Sequence, residues 1–436
     1  MGRTTEEGPL ERLSQAELNE VLRRHEMYRK ARMGGARAVL SFFDMAGLDL
    51  SGRDLTDADL AGSILAKADL TGCTLDRANM FACDLRAALL REASLQKTDL
   101  RGACLRGADL TGAALLDADL REGTLAEKDR YGDLHVVQIE TGPSELQRAD
   151  FRGANLTRAR LVGAVAANAD FADAVLKGAK LSRVDLRGAN LAGADLEGSD
   201  LSYANISGAN LRGAILTGAA MNGTETAGAD MSDVLTDRAP GRTLAQLVAP
   251  VEELLDLHAA WVASTGQSGR TLDVSDCDLR EVPSLARAVL TAMKGRGCVL
   301  YGRDLAGAHL QAAQLEHADL RAAALRRADL RGADLRGARL DRADLSGAVL
   351  RPLVIDTDRL VASQLQGASL RYANLAGADL RGAVLRAADL SHADLTDTRL
   401  DGADLTGADL TGTILESPPA APPKGRPGAG MVRPAG

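Results

Sequence analysis

The sequence predicts an all-β solenoid with minor α-helix: a four-sided β-helix in two columns, with helical caps at the N-terminus and in the middle. Three observations predict it. Ala-Asp-Leu, or a near relative, returns every five residues for most of the chain, as in Ala328-Asp329-Leu330, Ala333-Asp334-Leu335, Ala338-Arg339-Leu340 and Ala343-Asp344-Leu345. That period fits neither a regular helix nor a flat strand. Aromatic residues are only 3% of the chain, which suits a narrow interior and not a wide globular core.

The geometry follows from the period. In an α-helix each residue turns about 100°, so five residues leave about 140° over and the leucines spiral around the axis. In a strand side chains alternate with period two, so an odd spacing puts successive leucines on opposite faces. A chain that buries every fifth residue must therefore turn a corner every five residues. Four corners close a square of about twenty residues, and coils stack at about 4.8 Å.

The register is clean in three blocks: Leu50 to Leu125, Phe151 to Met231, and Leu300 to Leu415. Calling the large apolar residue i, position i−2 is Ala or a small stand-in such as Ser63, Cys73, Cys83 or Ser199. Positions i−1, i+1 and i+2 carry Asp, Asn, Arg, Thr and Gly and point outward. Residues twenty apart should stack, Leu310 under Leu330 and Phe151 under Phe171. Each buried leucine contributes about 1.5–3 kcal/mol.

The segments outside the blocks read differently. Residues 1–43 are an N-terminal cap containing a helix at 14–33, with Leu18, Val21, Leu22 and His25 on one face and Ser14 with Glu17 as a capping box. The first β-helix spans 44–235 and is interrupted at 126–147 by a loop or short hairpin that leaves the column. Residues 236–299 are a helical middle cap, with helices at 243–263 and, opened by Pro283, at about 283–295. The second β-helix spans 300–416. Near 351–364 the motif degrades, yet Leu350, Ile355, Leu360 and Leu365 hold the phase, so the column is expected to continue. Residues 417–436, rich in Pro, Gly and Ala, are expected to be disordered.

The two cap segments look like copies. Glu20 to Tyr28 parallels Glu253 to Trp261 at an offset of 233, which pairs His25 with His258, and Arg37 with Arg270 keeps that offset. Helix, link and solenoid have been used twice, as repeat arrays need at an open terminal coil.

The repeated A-(D/N)-L-x-x motif resembles that of the pentapeptide-repeat proteins over about two thirds of the chain. The resemblance implies a right-handed quadrilateral β-helix. It also implies a second function to weigh, because some proteins of this kind imitate duplex DNA and bind type II topoisomerases such as DNA gyrase.

Chemistry is sparse in the sequence. The six histidines lack zinc or His/Cys spacing, and the five cysteines form no CxxC pair. Cys73, Cys83 and Cys298 fall on inward positions, where a thiol acts as a small hydrophobe. Aspartates recur at i−1 in nearly every repeat, so no carboxylate pair stands out as an acid/base couple. No enzyme, cofactor or metal site is expected. The net charge is −8, with both signs interspersed and the first block the most acidic. Arg321, Arg326, Arg327, Arg331, Arg336, Arg339 and Arg342 interleave with aspartates, so charge pairing along the coil is expected and not nucleic-acid binding. No apolar stretch approaches a membrane span, and Met1 to Glu7 lacks a signal-peptide core. Glu6 stands where a myristoylation signal needs Ser or Thr. The expected role is a cytoplasmic, bacterial, non-enzymatic scaffold that binds protein partners through flat faces or the 126–147 loop. Tyr131, His135, Val137 and Ile139 are the candidate interaction residues there. The alternatives are a topoisomerase-binding DNA mimic and, more weakly, a secreted effector.

Overall fold

The backbone pairs with itself twenty residues on, in parallel, as Asp49 does with Asp69, Asp69 with Leu89 and Asp329 with Val349. The computed structural model describes residues 10–123, 125–128, 134–137, 142–356 and 359–415. The chain divides into two units, one ending at Arg238 and one beginning at Ala239.

Every corner repeats the same bonds. The Leu50 N–H donates to the Asp69 carbonyl at 2.8 Å, and the Asp69 N–H donates back to the Leu48 carbonyl at 2.9 Å. Within the coil the Arg53 N–H donates to the Leu50 carbonyl at 3.2 Å, closing a four-residue turn. Its third residue, Gly52, has φ +65°, as a type II turn requires. Larger residues also take this conformation, among them Lys67, Tyr203 and His392. His392 then lies over the next coil, where a Cβ on Gly412 would come within 2.5 Å of Nδ1.

The interior is a ladder of leucines and alanines. Leu330, Leu335 and Leu340 are 0% exposed, as are Ala328, Ala333 and Ala338. At several polar i−2 positions the side chain donates to a carbonyl in the coil below: Cys73 Sγ to Leu50, Thr98 Oγ1 to Leu75 and Thr398 Oγ1 to Leu375, each at 2.8 Å. These three polar groups are thus satisfied without leaving the column, whereas the buried Ser199 hydroxyl has no hydrogen-bond partner among the described residues.

In the first unit, β1 (Glu11–Arg12) pairs in parallel with β2 (Phe43–Asp44). Between them α1 (Gln15–Arg29) begins at the Ser14–Glu17 capping box and buries Leu18, Leu22 and His25. In the second unit a short 3-10 turn, Leu244–Gln246, precedes α2 (Val251–Ala263), which buries Val251, Leu254 and His258.

Four expectations need correction. The helix expected over 243–263 starts only at Val251, because Pro250 disfavours helical backbone at the residue before it. No helix occupies 283–295. Those residues are coils: Leu285 and Leu290 are buried, and Val289 and Lys294 pair with His309 and Gln314. Two irregularities hide the period here. Leu279 to Leu285 is a six-residue step, and Gly295 stands where a leucine is due while Met293 fills the space at i−2.

The other two corrections concern the insertions. Leu125 does not continue the first column but pairs with Val137 in a hairpin of β3 (Leu125–Lys128) and β4 (Leu134–Val137). The next interior leucine after Leu120 is Leu146, and pairing across this stretch is offset by 41, as in Cys104 with Glu145. At the exit Gly123 passes close to the Phe81 ring, from which a Cβ there would lie 2.5 Å. In the second unit the column does not run through 351–364. Asp334 pairs with Gln364 instead of a residue twenty on, so ten residues are thrown out. They hold an antiparallel hairpin of β5 (Leu353–Val354) and β6 (Leu360–Val361). Ten is two full repeats, so the phase survives an excursion that the column does not make.

Candidate interaction surface

The coil exteriors are largely self-neutralised. Wherever Asp at i−1 is followed by Arg at i+1, the guanidinium forks back onto the carboxylate. Arg331 Nε and Nη2 donate to the Asp329 oxygens at 2.8 and 2.6 Å, and Arg101 closes on Asp99 at 2.9 and 2.7 Å. Arg336 meets Asp334 and Arg326 meets Asp344. Arg342 lies 4.6 Å over the Tyr372 ring, and Tyr372 stacks on His392 at 4.9 Å. Arg321 is 3% exposed against Asp319. Burial alone pushes the Asp319 carboxyl up, but Arg321 and Arg339 outweigh it and hold the group below its ordinary value.

The reactive groups of the interior are quiet. Burial raises the Cys73 thiol to about 11 and the Cys83 thiol to about 12, so neither is a nucleophile near neutral pH. Among the described residues no three His, Cys, Asp or Glu side chains gather as a metal site. No helix among them is long and apolar enough to cross a membrane.

Two hairpins interrupt this pattern. Both leave the column after an arginine at i+1, Arg121 and Arg351, and both rejoin at a serine at i−2, Ser144 and Ser363. Each serine is fully buried and closes the gap in the same way. Ser144 Oγ accepts from the Gly102 N–H at 3.0 Å and has its one proton between the Arg121 and Leu100 carbonyls, at 3.1 and 3.2 Å. Ser363 Oγ accepts from the Gly332 N–H at 2.9 Å and donates to the Leu330 carbonyl at 3.0 Å. The column is thereby continuous beneath each excursion.

Of the expected loop residues, His135 faces Glu127 and Val137 faces Leu125 in the β3–β4 register; Tyr131 and Ile139 lie outside the described residues. The second hairpin was missed by sequence reasoning. It exposes Val354 (58%), Ile355 (51%) and Leu360 (64%), three apolar side chains brought together where Val354 pairs with Leu360. Pro352 packs over Gly382 and Leu353 over Gly332. The available signal was at i−2: Leu353 and Asp358 stand where the interior demands a small residue.

Residues 36–121, 144–218, 313–351 and 363–416 match the profile described as Pentapeptide repeats, and the chain belongs to that family. The match breaks at both hairpins, where the coil geometry breaks. The family's fold is a right-handed β-helix, and no catalytic family is indicated. No curated protein matches the chain. Among solved structures, it is similar to HetL, a pentapeptide repeat protein involved in heterocyst differentiation regulation from the cyanobacterium Nostoc sp. strain PCC 7120. Identity is 20% over 92% of this chain and 96% of that one, with a TM-score of 0.16. It is also similar to full-length QnrB1, a plasmid-mediated fluoroquinolone resistance protein, at 19% identity over 46% of this chain and 92% of that one, TM-score 0.18. Rfr23 from the cyanobacterium Cyanothece 51142 is 29% identical over 32% of this chain and 91% of that one, TM-score 0.16.

Proposed function

We propose that this protein is a non-enzymatic, cytoplasmic scaffold built as two β-helical columns with helical caps, and that it binds protein partners through hairpins thrown off the column walls. The observation that carries this reading is the exposure of Val354, Ile355 and Leu360 together on β5–β6. Such a cluster is what protein interaction sites present. The coil beneath it is closed by Ser363, so the hairpin is not needed to complete the column.

The test is a variant carrying Val354→Ser, Ile355→Ser and Leu360→Ser. Its melting temperature should match that of the parent, while a protein captured by the parent from native lysate should be lost. Retention of the captured partner by the variant would sink the assignment.

Topoisomerase binding by DNA mimicry stays a second reading, drawn from the family resemblance. The Arg–Asp forks count against the continuous acidic face it needs. A gyrase supercoiling assay with the parent protein decides it, and no effect at micromolar concentration removes it.

A further inference from the structure

The duplicated helices share more than sequence. His25 and His258 are each 0% exposed. His25 Nδ1 accepts the Ala38 N–H at 3.0 Å, and His258 Nδ1 accepts the Leu272 N–H at 3.0 Å. Ala38 and Leu272 occupy the same place, position i−2 of the first interior corner in their units, before Leu40 and Val274. In later corners that N–H is taken by the carbonyl three residues earlier, as Ala58 donates to Leu55. The first corner has no preceding repeat, and the imidazole nitrogen stands in for the missing carbonyl.

The rest of the module is duplicated too. After each helix the chain folds back across it, the Ala36 N–H donating to the Arg24 carbonyl and the Arg270 N–H to the Leu257 carbonyl. A glycine makes the crossing in both. A Cβ on Gly35 would lie 2.3 Å from the Tyr28 nitrogen, and one on Gly269 would lie 2.2 Å from the Leu257 oxygen. His25 stacks on Tyr28 and His258 on Trp261.

We propose that His25 and His258 are acid-sensitive latches, which hold α1 and α2 over the first coil of their own units only while the imidazole is neutral. A nitrogen that accepts a backbone N–H cannot carry a proton, so the proton sits on Nε2, which is buried in both residues. Protonating Nδ1 sets two donors against each other and places a cation in a buried site. Around His25 the facing groups are Arg29 and Tyr28 from its own helix, and Asp54, Asp57 and the Thr56 backbone from the coil. Around His258 they are Trp261 and the Arg270 and Thr291 backbones. Burial lowers both imidazoles despite the opposing Asp54 and Asp57 charges and backbone carbonyls. The sign follows: docking is fully supported above about pH 6.5, where a released imidazole is also neutral, and weakens as pH falls towards the lowered value.

Amide hydrogen exchange on the full chain tests this. Protection factors in α1 and α2, corrected for intrinsic rates, should fall by up to about tenfold between pH 7.5 and 5.5, the limit set by a released imidazole titrating near 6.5. His25→Asn offers an acceptor that does not titrate, so it should flatten the pH response of α1 and leave that of α2; His258→Asn should do the reverse. Flat parent profiles, or an unchanged α1 response in His25→Asn, overturn the proposal. Should the asparagine variants fail to fold, long-range 1H–15N spectra of the parent at pH 7.5 decide. Both histidines are expected neutral with the proton on Nε2, and a proton on Nδ1 of either overturns it.

Discussion

The rings of Phe151 and Phe171 stack with centroids 4.8 Å apart and 5° between their planes. They are twenty residues apart, and the spacing equals the separation of neighbouring strands. One full coil therefore lies between one interior side chain and its equivalent above it, which is why burial in this protein is decided position by position.

The sharpest consequence concerns neighbours in sequence. Leu330 is 0% exposed in mid-column, so Leu330→Ala should cost about 2–5 kcal/mol. Arg331 lies outside with its fork on Asp329, both side chains partly exposed, so Arg331→Ala should cost about 1 kcal/mol or less. Denaturant unfolding of the two variants measures the difference; equal losses would contradict the register.

Gly35→Ala and Gly269→Ala each push a methyl into helix backbone. Backbone cannot rotate aside as a side chain can, and each substitution should cost about 1–3 kcal/mol. Gly302→Ala, at φ +64° with nothing within 4 Å of its Cβ, is the control for the φ strain that Gly269 carries at +79°; Gly35 has no positive φ and its loss is steric alone. Losses at Gly35 and Gly269 no greater than at Gly302, read as melting shifts, would argue against the crossing.

Ser363→Ala removes a buried hydroxyl and leaves the Gly332 N–H and Leu330 carbonyl without it. The expected loss is about 1–3 kcal/mol. Hydrogen exchange should locate the loosening at Gly332 and not in coils far from the hairpin.

Arg321 and Asp319 form the most buried of the Asp–Arg forks, at 4% and 13% side-chain exposure. Asp319 is held below its ordinary value, so its contribution is present above about pH 3.8 and is lost as pH falls through the lowered value. Arg321→Leu should cost up to about 3–5 kcal/mol at pH 7 by leaving the buried carboxylate with only the Arg339 charge to offset its burial. The deficit should shrink in acid, where the carboxyl is neutral; a deficit independent of pH would place the loss in packing instead.

The repeat was legible in the sequence because one position, the leucine, must be large and another, i−2, must be small. Those demands hold wherever the coil holds, so the Phe151–Phe171 stack and the wall positions of the arginines could be read, while the Ser14–Glu17 cap followed from its own local pattern and the burial of Arg321 did not show. Phase alone could not report the β5–β6 hairpin, because an insertion of two whole repeats leaves Leu350 and Leu365 in step. The mismatched Leu353 and Asp358 at i−2 carried that information. The start of the second column was hidden by the opposite fault: one extra residue before Leu285 broke the phase of a coil that is there. His25 and His258 stood out as a pair, but that each replaces a missing carbonyl depends on the fold-back of the link, which no local pattern encodes.

The most direct test of the account is which residue lies above Arg339. The column, with ten residues excluded, pairs Arg339 with Ser369, whereas an uninterrupted coil would place Arg359 there. Double variants Arg339→Cys/Ser369→Cys and Arg339→Cys/Arg359→Cys should be treated with a short bifunctional thiol reagent. Rapid cross-linking of the first and little of the second is the predicted result; the reverse preference would contradict it.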